Sequence, residues 1–104
     1  MSEKEPKPLP PLYTHLYIHL TRVALEHGYA LALHGSMARD LDVIAVAWTE
    51  DAAPAEELLA AFVEELDSRW VSEPEQKPRG RRAWTMTIPR SHAVVDLSII
   101  EGKP

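Results

Sequence analysis

Residues 34–46 bring together several residue types that could bind a phosphate group and a metal ion. The run contains Gly35 and Ser36, then Asp40 and Asp42, and it continues into an apolar segment. Glycine lets the backbone turn tightly and approach a ligand, and the following N–H groups and hydroxyl can donate hydrogen bonds to phosphate oxygens. The order therefore indicates a phosphate-binding turn beside a metal site. A hairpin connection that simply needs glycine is the alternative explanation of the turn.

The carboxylates of Asp40 and Asp42 are the first candidate metal ligands. On a strand, residues i and i+2 point to the same face, with Cα atoms about 6.5–7 Å apart. Mg²⁺ prefers such oxygen ligands and completes its shell with water and substrate phosphates. Because two carboxylates on a partly buried face repel each other, we expect the pair either to face solvent or to hold a cation. Arg39 could neutralise bound phosphate or pair with a neighbouring carboxylate.

Asp96 is a third carboxylate, and it lies in the middle of a later apolar segment. Burying an unpaired carboxylate among apolar neighbours is costly, so Asp96 needs a metal, an arginine or water. If its strand lies beside the strand of Asp42, three carboxylates converge. Asp96 could then be a metal ligand or the base that takes a proton from an acceptor hydroxyl. The alternative is a salt bridge to Arg39 or Arg82.

Two further groups of residues have a functional and a plain interpretation. His15 and His19 are spaced i and i+4 on a predicted helix and could hold a metal, but they also fit a solvated helix face. A basic cluster precedes a predicted strand, and it could bind phosphate or stack on a base, or simply be solvated. The members of this cluster are Arg79, Arg81, Arg82 and Trp84.

Hydrophobic periodicity predicts the elements that position these residues. The predicted order is α-β-β-α-β-β, which indicates an α+β domain with two helices on a mainly antiparallel or mixed four-stranded sheet. The buried face of the second helix is predicted to extend to Trp70, and the segment after it to be a loop over 72–80. The helices are predicted over 12–27 and 54–70, and the strands over 29–34, 42–48, 82–88 and 93–100.

Composition limits the possible functions. The 104 residues carry a formal net charge of −5 and no cysteine, which excludes disulfides and argues against general nucleic-acid binding. No segment is a candidate signal peptide or membrane span, so we expect a cytoplasmic protein that does not enter membranes. Residues 1–11 are charged and proline-rich and predict a flexible arm. Residues 12–101 predict a single domain.

The residues described above resemble the signature of the DNA-polymerase-β-like nucleotidyltransferase superfamily. In that superfamily a Gly-Ser turn ends one strand, paired acids open the next, and a third acid lies on a later strand. The resemblance implies Mg²⁺-dependent transfer of a nucleoside monophosphate from an NTP. By position, Gly35, Ser36 and Arg39 would contact the nucleotide. Asp40 and Asp42 would hold the metal, and Asp96 would complete the site and activate the acceptor.

A second functional hypothesis follows from the length of one loop. Only three residues separate Ser36 from Asp40, fewer than is usual in the superfamily. This favours the alternative of a catalytically inactive nucleotidyltransferase-fold module that binds a protein partner or assembles as a homo-oligomer. The sequence is also similar to small phage and prophage proteins of unassigned function, which carry a comparable run.

Overall fold

The computed structural model describes residues 11–35, 40–89, 91 and 93–102. The predicted arm lies outside them except for Pro11, which is instead the first helical residue, a position that tolerates its missing N–H. The elements are helices α1 (Pro11–Glu26) and α2 (Ala55–Leu66), strands β1 (Tyr29–Leu33), β2 (Leu41–Ala47), β3 (Glu75–Gln76), β4 (Arg82–Thr87) and β5 (Val94–Ile100), and a 3₁₀ turn (Pro78–Gly80).

The strands form one mixed sheet in the order β1-β2-β5-β4-β3. β1 is antiparallel to β2, β2 is parallel to β5, and β5, β4 and β3 pair antiparallel. The α+β class is therefore confirmed, and so are the antiparallel β1–β2 pair and the β4–β5 hairpin. The expected four strands are wrong, because the described sheet has a fifth.

The additional strand, β3, forms inside the segment predicted as a loop. Its two residues, Glu75 and Gln76, are exposed and show no apolar alternation, so the sequence carried no strand signal. Pairing is set instead by the turn that follows, in which the Lys77 N–H donates to the Arg81 carbonyl over 2.7 Å. This turn folds the chain back so that Glu75 lies opposite Ala83.

Helix α2 ends earlier than predicted. Asp67 adopts the left-handed conformation with φ 53°, and its N–H bonds the Glu64 carbonyl, which stops the helix after Leu66. Trp70 therefore lies beyond the helix and is 53% exposed; its predicted place on the buried face is wrong. At the other end, Glu101 caps the helix, because its Oε2 accepts a hydrogen bond of 2.7 Å from the Ala55 N–H.

The core lies between the helices and one face of the sheet. Buried residues of α1, such as Leu20, and of α2, such as Phe62, join alternate strand residues such as Val43 and Leu97 in one cluster. The intervening strand residues point to the opposite face of the sheet, which carries the polar groups described below. Within the described part of the chain, no helix is long and apolar enough to cross a bilayer.

Candidate functional site

Asp42 and Asp96 are direct neighbours across the central parallel strands. They are register partners in the β2–β5 ladder. Partners in a ladder lie about 4.8 Å apart, with side chains on the same face. The strand of Asp96 therefore lies beside the strand of Asp42, which is the condition under which the three carboxylates can converge. This pairing places two carboxylates side by side on the face that the core does not cover.

Asp40 joins this pair from the residue just before β2. One carboxylate oxygen from each of Asp40, Asp42 and Asp96 lies within 4.8 Å of the other two, and all three residues are half-buried. Oxygen ligands bind Mg²⁺ at 2.0–2.1 Å and Ca²⁺ at 2.3–2.6 Å, so small side-chain rotations would bring the three oxygens onto one ion. The donor set, three hard carboxylates, fits such a cation. The three predicted metal ligands are thus brought together.

Thr85 orients the third carboxylate, and sequence reasoning did not identify it. It lies opposite Asp96 in the β4–β5 ladder, and its Oγ1 donates a hydrogen bond of 3.0 Å to Asp96 Oδ1. Ser72 holds Thr85 in turn, because its Oγ accepts from the Thr85 N–H and its own N–H donates to the Thr85 carbonyl, both over 2.9 Å. Only the register reveals this contact.

The alternative salt bridge between Asp96 and Arg82 does not form. Arg82 donates instead to Glu56 over 2.7 Å and lies 3.5 Å from Glu101, because alternation directs its side chain to the helical face of β4. The hydrogen bond with Arg82 is the main cause of the lowered pKa of Glu56. The other alternative partner, Arg39, lies outside the described residues.

Gly35 is placed directly against the metal-ligand candidates. Its φ is +78°, and a Cβ atom at this position would lie only 2.5 Å from Asp42 Oδ2. The neighbouring His34 N–H bonds the Asp42 carbonyl over 3.0 Å, which brings the end of β1 close to the start of β2. Ser36 lies outside the described residues, so its role in ligand binding, like that of Arg39, stays a prediction.

Tyr13 of helix α1 binds the backbone at the start of β5, the strand that carries Asp96. Its hydroxyl oxygen accepts a hydrogen bond of 2.9 Å from the Val94 N–H at the start of β5. Burial raises the pKa of this phenol, the Val94 bond opposes the rise, and the negative charges of the three aspartates add to it. Sequence periodicity identified Tyr13 only as an apolar core residue, because a phenol on a buried helix face carries no signal of its polar partner.

A cavity of about 600 Å³ lies on the same face of the sheet as the carboxylates. Asp42 and Asp96 line one part of it, and Lys77 and Arg81 line another. Arg81 Nη1 donates a hydrogen bond of 2.8 Å to the Oγ of Ser98, whose residue is only 3% exposed. The carboxylates of Glu73 and Glu75 also line it, and Glu75 pairs with Lys77. The cavity therefore brings two cationic side chains, one of them paired with a glutamate, onto the same surface as the two aspartates.

The predicted basic cluster is divided between two faces. Arg81 lines the cavity, whereas Arg82 lies on the helical face and stacks over Trp84, with its guanidinium carbon 5.3 Å from the ring centre. Trp84 is 4% exposed, so its ring offers no surface on which a base could stack. Arg81, Arg82 and Trp84 therefore do not form one surface that could bind phosphate and stack on a base.

His15 and His19 contact each other on the exposed side of α1. Their Nε2 atoms lie 3.2 Å apart, and His19 Nδ1 lies 3.4 Å from a Glu65 oxygen. Among the described residues, only the three aspartates bring three ligand groups within 4.8 Å of one another. The plain interpretation, a polar helix face, therefore describes the histidines better than a metal site.

Known protein-family models give no match to the chain, and the curated proteins give no significant similarity.

Proposed function

We propose that this protein is a minimal Mg²⁺-dependent nucleotidyltransferase of the DNA-polymerase-β-like type, which transfers a nucleoside monophosphate from an NTP in the cytoplasm. The observation that supports it most is the register of Asp42 with Asp96, with Asp40 within reach of both. Two acids at the start of one strand and a third on a neighbouring strand are what the superfamily resemblance implies. The sharp turn at Gly35 against Asp42 gives further support.

In this proposal, Asp40 and Asp42 would hold Mg²⁺, and Asp96 would complete the ligand set. The bound ion would neutralise charge on the phosphates and on the leaving pyrophosphate. Gly35, Ser36 and Arg39 contact the triphosphate. Each of these residues lies on β1, on β2 or in the segment between them, so the triphosphate belongs at that end of the site.

Asp96 serves the acceptor. Thr85 donates a hydrogen bond to Asp96 Oδ1. Among the described residues, no donor to Asp96 Oδ2 is found, so Oδ2 is the oxygen that can accept a proton. The acceptor oxygen attacks the α-phosphorus and its proton moves to Oδ2, while the bond from the α-phosphorus to the bridging oxygen breaks and pyrophosphate leaves. Fixing one oxygen of Asp96 holds the other in a constant position for this proton transfer.

Metal and nucleotide binding test the proposal. We expect Mn²⁺, followed by electron paramagnetic resonance, and ATP with Mn²⁺, followed by calorimetry, to bind the wild-type protein. Asp42→Asn should weaken Mn²⁺ binding at least tenfold, whereas Asp51→Asn removes an equal charge from an exposed loop and should not. Equal Mn²⁺ affinity of both variants, or no ATP binding by the wild type, would contradict the proposal.

A second candidate function is an inactive nucleotidyltransferase-fold module that assembles with itself or with a protein partner. The specific observation that favours it is the exposure of Trp48 (76%) and Trp70 (53%). Aromatic side chains are enriched in protein interfaces. Sedimentation of the pure protein tests self-association. We then expect Trp48→Ala to shift the protein towards the monomer, while a wild-type monomer that binds ATP would exclude this candidate.

A further inference from the structure

The strand order separates two ends of the site. Gly35 follows β1 at one side of the carboxylates, and Lys77 and Arg81 flank the β3–β4 turn at the other side. The carboxylates of β2 and β5 lie between them. Ser98, which Arg81 contacts over 2.8 Å, is two residues from Asp96 along β5, so the basic end lies about 7–10 Å from Asp96. A phosphate bound near Lys77 and Arg81 is therefore a different phosphate from one bound at Gly35.

Arg81 is held in a fixed place at this end. Its guanidinium donates to Ser98, which is two residues beyond Asp96 on the same strand and face. Among the described residues, Ser98 is the only hydrogen-bond partner found for the Arg81 side chain. Arginine has five N–H donors in a rigid plane, so most of them remain for a ligand in the cavity that Arg81 lines.

Lys77 adds a second positive charge at the same place. Its N–H bonds the Arg81 carbonyl over 2.7 Å, so the two residues face each other across the turn. Its Nζ lies 3.3 Å from an oxygen of Glu75, whose side chain is 74% exposed. Exposed ion pairs contribute little, so a phosphate dianion can replace Glu75 as the partner of Lys77.

We propose that Lys77 and Arg81 form a phosphate-binding subsite that selects an acceptor carrying a phosphate ester. This inference rests on the proposed function, because the triphosphate then occupies the Gly35 end and leaves the basic end to the acceptor. Arginine and lysine are the side chains that bind phosphate most strongly, through charge-assisted hydrogen bonds. The hydroxyl to be modified would lie at Asp96, and the acceptor phosphate about 7–10 Å away along β5.

Titration of AMP, with adenosine as the unphosphorylated control, tests this subsite. Protein saturated with Mg²⁺ and a non-hydrolysable ATP analogue is titrated with AMP, and binding is followed by nitrogen-proton NMR shifts. We expect Arg81→Gln to weaken AMP binding at least tenfold and to leave adenosine binding unchanged. Arg79→Gln is the matched control, because it removes the same charge from the same turn at an exposed residue that does not line the cavity.

Glu75→Gln is expected to change AMP affinity in the opposite direction from Arg81→Gln. Removal of the carboxylate that pairs with Lys77 should tighten AMP binding about threefold, because the phosphate no longer competes with it. A loss of fold cannot explain a gain in affinity. Unchanged or weaker AMP binding by this variant would count against the role of Lys77.

The outcomes separate this inference from the proposed function. Equal AMP affinity of Arg81→Gln and the wild type, or equal affinity of the wild type for AMP and adenosine, overturns the subsite. Weaker binding of the ATP analogue alone by Arg81→Gln assigns the phosphate to the donor nucleotide and overturns the acceptor assignment. If the analogue does not bind the wild type, the proposed function fails, and AMP titration of the protein with Mg²⁺ alone still decides on the subsite.

Discussion

Gly35 and Asp42 are in such close contact that Gly35 has no room for a side chain. A Cβ atom on Gly35 would lie 2.5 Å from Asp42 Oδ2 and 3.1 Å from its Cγ. The carboxylate therefore occupies the space that any other residue at this position would need. Glycine at position 35 is therefore required for the Asp42 carboxylate to take its place as a proposed metal ligand.

The first prediction concerns Gly35→Ala. We expect the new methyl group to displace the Asp42 carboxylate and to weaken Mn²⁺ binding at least tenfold, in addition to a loss of about 1 kcal/mol of stability from the positive φ. Gly80→Ala is the matched control, since Gly80 has φ +74° but open space around its Cβ position. It should lose similar stability and keep its Mn²⁺ affinity. Equal Mn²⁺ affinity of the two variants would refute the contact.

Thr85→Val tests the orientation of Asp96. Valine keeps the shape of threonine but removes the hydroxyl that donates to Asp96 Oδ1. Because hydrogen bonds to a metal ligand typically affect affinity by about 10–100-fold, we expect Mn²⁺ binding to weaken by about tenfold. Thr87→Val, two residues further along the same strand, should leave Mn²⁺ affinity unchanged. Electron paramagnetic resonance measures both affinities.

Tyr13→Phe tests how helix α1 supports the start of β5. Phenylalanine removes the oxygen that accepts from the Val94 N–H, and a hydrogen bond of this kind contributes about 1 kcal/mol. We expect a loss of that size in urea unfolding and faster hydrogen exchange of the Val94 amide. Tyr17→Phe removes a hydroxyl that donates to the Leu31 carbonyl on β1, so it should not accelerate Val94. Unchanged Val94 exchange in Tyr13→Phe would show that this bond is not maintained.

The lowered pKa of Glu56 predicts that the free energy of unfolding depends on pH. Its folded-state pKa lies below the ordinary 4.5, chiefly because Arg82 donates a hydrogen bond to it. A lowered folded pKa adds stability that is complete above the unfolded pKa and is lost as the pH falls through the folded value. Glu56→Gln should therefore lower the urea midpoint at pH 7 and converge with the wild type well below pH 4.5.

The control for this variant is Glu57→Gln. Glu57 is in the same first turn of α2, so the substitution removes the same charge from the helix N-terminus without touching the hydrogen bond of Arg82. Its difference from the wild type at pH 7 should be smaller than that of Glu56→Gln. Equal differences would assign the effect to the helix terminus rather than to Arg82.

The sequence predicts the elements of this fold better than their contacts. Alternation and helical periodicity are local, and they placed α1, the four longer strands and the carboxylates on their correct faces. The predicted end of α2 lies too late in the sequence because Asp67 adopts a left-handed backbone conformation. Aspartate at this position does not by itself indicate that conformation. Strand β3 was missed because its two polar residues pair only through the turn beside them.

The candidate site shows the same division. The convergence of Asp42 and Asp96 was predicted only on the condition that their strands are neighbours, since residue types carry no information on strand order. Thr85 was not predicted, because its partner follows from the β4–β5 register. Arg81 was grouped with Arg82, although Arg81 precedes β4 and lines the cavity, whereas Arg82 begins the strand and pairs with Glu56 on the helical face.

The parallel pairing of β2 with β5 also has a consequence for how the protein folds. The two strands are far apart in the chain, and α2, β3 and β4 all lie between them. Pairings of high contact order are slow, because loop closure must precede the gain from the contact. The negative charges of Asp42 and Asp96 repel each other and oppose the pairing of the two strands. A divalent cation between the carboxylates should therefore accelerate this pairing. Refolding kinetics with and without Mg²⁺ would then report on the assembly of the site itself.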